Sequence, residues 1–166
     1  MHWAGQRRVS TPRRISARDL FLHHLLRSAP TSFLSPGSGP AVAQSVIHVL
    51  LETARAKQFL IAAYCLMPDH LHMLAGGTSV LSDALEFVRV FKQRSGFQFR
   101  QSRQQALWEL SYYDRVLRHG DSIIEIAGYI CWNPVRRKLC QKPDEYPYSG
   151  SQSFAWMREV YLPPKS

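Results

Sequence analysis

Residues 59–66 read FLIAAYCL, an unbroken apolar run bounded by Gln58 on one side and Met67-Pro68-Asp69 on the other. A run this short and this uniformly apolar predicts a strand covered on both faces, since a half-exposed strand would alternate. Directly after it, residues 70–75 (HLHMLA) do alternate, and Gly76-Gly77 closes them with a turn signal. The two runs predict neighbouring strands joined by a tight connection through Met67-Pro68-Asp69. A sheet begun this way needs other layers to cover it.

Those layers are predicted along the rest of the chain. From Ala41 to Ala56 the apolar positions Val42, Val46, Val49 and Leu50 recur at helical spacing. Ser82 or Asp83 can cap a second helix whose buried stripe is Ala84, Phe87, Val88 and Phe91. Ser122 and Glu125 match a capping box and start a third, which Pro134 bounds near Asn133. Residues 107–117 predict an extended segment, residues 20–25 (LFLHHL) a short strand or helical turn, and Ser28–Pro40 a loop. The order implies an α+β domain, with helices covering one face of a mostly antiparallel sheet. Residues 20–155 would form this one domain, flanked by a basic arm over 1–19 and a tail over 156–166.

Composition narrows the function classes. The 166 residues carry 21 Lys and Arg against 12 Asp and Glu, a formal charge of +9, which favours a polyanionic partner through phosphate neutralisation and counterion release. The three cysteines, Cys65, Cys131 and Cys140, are odd in number and lack CxxC spacing, so they read as reduced thiols rather than a disulfide framework or zinc site. No apolar run approaches the roughly 18 residues of a membrane span. The basic N-terminal stretch has no apolar signal core, and the expected location is the cytoplasm.

Two motifs carry chemistry. In His70-Leu71-His72 the histidines are two apart, so on a strand they project from the same face and can hold one divalent metal. The alternative is a pair of polar residues on a solvated strand face. On the helix begun by Ser122, residues Glu125, Tyr129 and Asn133 are spaced i, i+4 and i+8 and would share one face. A tyrosine held rigidly can act as a nucleophile towards phosphorus, and an amide oxygen suits a Mg²⁺ or Mn²⁺ shell. The plain reading is a boundary tyrosine and a helix-stop asparagine.

MPDHLHML (67–74), FKQRSG (91–96), SYYDRVLR (111–118), YICWNPVRRKL (129–139) and YPYS (146–149) occur in one order. Together they resemble the palindrome-associated tyrosine transposases, relatives of the small single-tyrosine insertion-sequence transposases, over roughly residues 59–150. The resemblance implies a ferredoxin-like core, His70 and His72 as metal ligands on a central strand, Tyr129 as nucleophile and Asn133 assisting the metal. It implies Mg²⁺ or Mn²⁺ as cofactor and single-stranded or hairpin DNA as partner, cut and rejoined through a 5′-phosphotyrosine link in a prokaryotic cell. Lys92, Arg94, Arg136, Arg137 and Lys138 are the candidate DNA-backbone contacts. Trp108, Tyr112, Tyr113 and Trp132 are aromatics that either stack on bases or pack in the core. The palindrome-associated kind points to a monomer, with the dimer of the insertion-sequence relatives as the alternative. The sequence departs from the family pattern in its first 40 residues, where LFLHHL is the only candidate for the opening strand. Arg137 and Lys138 also stand where small residues are usual. Two other functions remain open: a hairpin-binding module that does not cut, and a hydrolytic nuclease with water as nucleophile.

Overall fold

The computed structural model describes residues 21–28, 39–117 and 121–153. The expected basic arm and C-terminal tail lie outside the described residues. The elements are β1 (Phe21–Ser28), α1 (Gly39–Ala56), β2 (Phe59–Leu66), β3 (His70–Gly77), α2 (Ala84–Arg103), β4 (Trp108–Val116), α3 (Ile123–Cys131), the short α4 (Asn133–Arg136), a 3-10 turn at Pro143–Glu145 and the two-residue β5 (Ser149–Gly150). The strands form one sheet in the order β4-β1-β3-β2-β5, and every neighbouring pair is antiparallel. In β1-α1-β2 and β3-α2-β4 each pair of strands brackets a third, which is the interleaved β-α-β-β-α-β arrangement of the ferredoxin-like fold. The opening strand is therefore present. Residues 21–25 of LFLHHL open β1, which runs between β3 and β4 in the sheet.

The helices do not all cover one face, as the sequence suggested. Leu71, Met73 and Ala75 of β3 turn towards α1 and α2, packing with Val46, Leu50, Phe87 and Phe91 in the larger core. Leu74 turns the other way, into a second core where Ala127, Ile130 and Cys131 of α3 meet Ala63 and Cys65 of β2. β3 is buried on both faces because β1 and β2 flank it and helices lie above and below. The register holds because of a bulge in β2: Ile61 pairs with Ala75 but Ala63 pairs with Leu74, leaving Ala62 as the extra residue. That insertion sets Cys65 opposite His72, so both face α3.

Local signals place the helices. Asp83 caps α2 by accepting from Glu86 N at 3.0 Å, and Ser122 caps α3 by accepting from Glu125 N at 3.2 Å. α2 and β4 are locked by Trp108, whose Nε1 donates to Ser95 Oγ at 2.8 Å while its ring lies 5.5 Å from that of Phe91. Trp108 is a core residue, so it is not among the base-stacking aromatics. Cys65 and Cys131 are buried free thiols, their pKa values pushed up by burial, to about 12 for Cys131, and Cys140 is half-buried. Among the described residues no helix is long and apolar enough to cross a membrane.

Candidate active site

β3 begins immediately after the turn Pro68-Asp69, where Met67 N donates to His70 O at 2.7 Å. The preceding end of β2 is braced from the YPYS segment. Tyr146 Oη donates to Leu66 O at 2.8 Å, and Leu66 N donates to Tyr148 O at 2.9 Å. This gives the YPYS motif a structural role: it fixes the strand end from which the histidines project.

His70 and His72 are buried, at 9% and 6% exposure, on the α3 side of the sheet. Their ring centroids are 4.8 Å apart and the rings are nearly perpendicular, at 84°. The solvated-face reading of this pair is thus excluded. Two imidazoles bound to one ion at ordinary metal–nitrogen lengths would set their centroids about 4.5 to 5.2 Å apart, so this spacing fits a shared divalent ion. Asp69 Oδ1 lies 2.6 Å from His70 Nδ1. That contact fixes the proton on Nδ1 and leaves the other ring nitrogen with its lone pair available, the usual arrangement behind a metal-bound histidine. Burial holds the pKa of His70 below its ordinary value, against the opposing pull of Asp69. Burial is also the largest influence on Asp69 and disfavours its ionisation, but the hydrogen bond and charge of His70 outweigh it and lower its pKa.

Tyr129 is on α3, held over the pair by Ala127 and Ile130, which are fully buried against the sheet. Its ring centroid is 6.4 Å from that of His72, with the planes at 90°, and the residue is 39% exposed. It can therefore be reached from solvent while standing beside the buried histidines. α3 ends at Cys131 and Asn133 opens α4, so Asn133 does not continue the Tyr129 face of a single helix as the i, i+4 spacing implied. Asn133 is buried at 8% exposure. Its Oδ1 accepts from Arg136 at 2.8 Å, which fixes the amide orientation, and its Nδ2 is buried with no hydrogen-bond partner among the described residues. An orphaned N–H is costly to keep, and what satisfies it is an acceptor such as a phosphate oxygen, not a cation. Among the described residues no group of three His, Cys, Asp or Glu side chains could hold a metal. Asn133 Oδ1 is the third donor that the resemblance implies for a shell on this pair, and here it accepts from Arg136.

Arg136 departs from its expected role. Its guanidinium sits 4.0 Å from the centre of the Tyr129 ring, donates to Tyr129 O at 2.6 Å and holds Asn133 Oδ1. Burial lowers its pKa, with Tyr129 opposing. Arg137 and Lys138 are exposed at the end of α4. Two of the other expected DNA contacts are not brought to the site. Arg94 donates to Thr53 on α1 at 3.2 Å, within the opposite layer, and Lys92 Nζ donates to Glu109 O at 2.6 Å. Asp69 was missed in the sequence, although its place next to His70 in MPDHLHML was the available signal. Arg27 was missed as well, since only strand register shows that it pairs with His70.

The structure thus joins a ferredoxin-like sheet, a histidine pair on its central strand and a tyrosine on the covering helix. The chain belongs to the family described as "Transposase IS200 like", whose model matches residues 38–131. That span contains His70, His72 and Tyr129; Asn133 and the arginines of α4 lie beyond it. A Haemophilus influenzae protein described as a REP-associated tyrosine transposase is 23% identical over 112 residues, covering 60% of this chain. The chain spans 62% of the length of that relative. A solved REP-associated tyrosine transposase bound to a REP hairpin matches with TM-score 0.66 and 19% identity, over 85% of this chain and 82% of that one, which shows a shared fold. A transposase structure from Deinococcus radiodurans matches with TM-score 0.47 and 20% identity, over 72% of this chain and 85% of that one.

Proposed function

We propose that this protein cleaves and rejoins single-stranded DNA at hairpin sites, with Tyr129 as the nucleophile. The observation that carries the reading is the placement of a solvent-reachable tyrosine on α3 beside two buried, co-facing histidines. In the reaction the Tyr129 oxygen attacks a phosphodiester phosphorus and gives up its phenolic proton to solvent. The 3′-oxygen leaves and takes a proton, so a 5′-phosphotyrosine and a free 3′-hydroxyl result. The link conserves the phosphodiester energy, and attack by a 3′-hydroxyl reverses it without ATP.

His70, His72 and Asn133 Oδ1 would hold Mg²⁺ or Mn²⁺, which when bound draws charge from the phosphate and stabilises the transition state. Asp69 orients His70, Arg136 holds Tyr129 and Asn133 in one arrangement, and the second core keeps α3 seated on the sheet. The hairpin specificity follows the solved relative with its REP hairpin. We take the working unit to be a monomer. The reading as a binding module that does not cut rested on a missing opening strand, and β1 supplies that strand.

Incubation with labelled hairpin DNA and Mn²⁺ or Mg²⁺, followed by a denaturing gel, tests this. The expected result is a covalent adduct that is absent in Tyr129→Phe and in His70→Ala. Cleaved product with neither end attached to protein would instead mean a hydrolytic nuclease.

A further inference from the structure

Of the five cations the sequence offers to DNA, three spend donors inside the fold: Lys92 on β4 carbonyls, Arg94 on Thr53 and Arg136 on Tyr129 and Asn133. Arg137 and Arg27 differ. Both are exposed, and neither side chain makes a hydrogen bond or ion pair among the described residues. Arg27 pairs with His70 across β1 and β3. Paired residues of antiparallel neighbours project from the same face with Cβ atoms about 5 Å apart. The adjacent pair, Leu26 and Leu71, is buried in the α1–α2 core, so Arg27 turns with His70 to the α3 face. Arg137 directly follows α4, and the charges of both arginines bear on the His70 ring.

The guanidiniums of Arg27 and Arg137 thus bear on His70, beside that of Arg136 on Tyr129, at a centre where Asp69 is already engaged with His70. Such positive charges attract an anion, and guanidinium forks match phosphate oxygens. We propose that Arg27 and Arg137 form a clamp that grips the nonbridging oxygens of the phosphodiester lying on the His70–His72 pair, one from β1 and one from α4. The clamp rests on the strand-transfer reading of the site and adds a β1 residue that the reading does not otherwise use.

Two measurements test it. The first is anisotropy with a labelled oligothymidylate of about 20 nucleotides over a salt series, in the Tyr129→Phe background. Arg27→Ala and Arg137→Ala should each weaken binding about tenfold and reduce the log–log salt slope by about 0.7. Arg27→Lys should restore the slope, and Arg55→Ala, whose guanidinium is paired with Glu52, should change neither value. The second is the adduct rate at saturating hairpin DNA with Tyr129 intact, expected to fall at least tenfold in Arg27→Ala and to return only in part in Arg27→Lys. Thermal unfolding of Arg27→Gln alongside Arg27→Ala separates lost contacts from lost folding. Unchanged affinity, slope and adduct rate in folded Arg27→Ala, or an equal loss in Arg55→Ala, overturns the clamp. If wild type forms no adduct but Arg27→Ala still loses slope, the clamp stands and the strand-transfer reading falls. If wild type forms the adduct and Arg27→Ala forms it equally fast, the reading stands and the clamp falls.

Discussion

Arg136 makes contacts to Tyr129 and Asn133 that no other single side chain could reproduce. It stacks on the Tyr129 ring, bonds the Tyr129 carbonyl and holds the amide oxygen of Asn133. A lysine keeps the charge but cannot spread planar donors over all three. Arg136→Lys should therefore slow adduct formation by about tenfold to a hundredfold, the scale of a misplacement near 1 Å. Arg136→Ala leaves the Asn133 amide wholly unpaired and should also cost about 1–3 kcal/mol in denaturant unfolding. Unaltered rates in Arg136→Lys would show that the contacts are incidental. His70 carries a second consequence. Its folded pKa is depressed by burial, so between that value and its ordinary 6.5 the unfolded chain binds more protons than the native one. Its contribution to stability is therefore present above pH 6.5 and lost as pH falls through the folded pKa. Ring-proton NMR should give a His70 midpoint below 6.5, and unfolding across acidic pH should show His70→Gln losing less stability than wild type.

At the scale of elements, α3 matters most because it carries Tyr129 on only nine residues, Ile123–Cys131. Helices this short are marginal alone and depend on packing and caps. Ser122→Ala removes the cap on Glu125 N and should cost about 1 kcal/mol. Ile130→Ala should cost about 2–5 kcal/mol, since Ile130 is fully buried against the sheet. Calorimetry would check both, and Ile130→Ala should slow adduct formation as well because Tyr129 shifts with the helix. Equal melting temperatures for Ser122→Ala and wild type would show that packing alone sets the α3 terminus. The start of α3 was legible because a capping box is local, and β2 and β3 were legible because their apolar patterns are. The end of α3 was not. The spacing from Tyr129 to Asn133 fits one continuous helix, whereas Trp132 interrupts it and puts Asn133 at the head of α4, buried and bonded to Arg136. Lys138 shows a related limit. It adopts a left-handed backbone with φ 58°, which accounts physically for the small residues usual at that place, yet nothing in its own sequence neighbourhood announces the turn.

Across the whole molecule, the two faces of the sheet differ in how their charges are used. On the α1–α2 side Glu86 is paired with both Lys57 and Arg89, which pull its carboxyl down to about 2, and Arg55 is paired with Glu52. On the α3 side Arg27 and Arg137 flank the histidines without such partners among the described residues. This difference was invisible in a formal charge of +9, because net charge carries no information about faces, and the sequence order places FKQRSG beside the site motifs although Arg94 folds to the far layer. A DNA strand should therefore lie along the α3 face. Arginine modification followed by mass spectrometry, with and without hairpin DNA, should show protection of Arg27 and Arg137 and little change at Arg55, Arg89 and Arg94. Arg136 should react slowly in both states, because its guanidinium is already stacked and bonded. Protection centred on Arg89 and Arg94 would place the DNA across α1 and α2, on the side of the sheet away from Tyr129, and would remove the geometric basis for strand transfer by that residue.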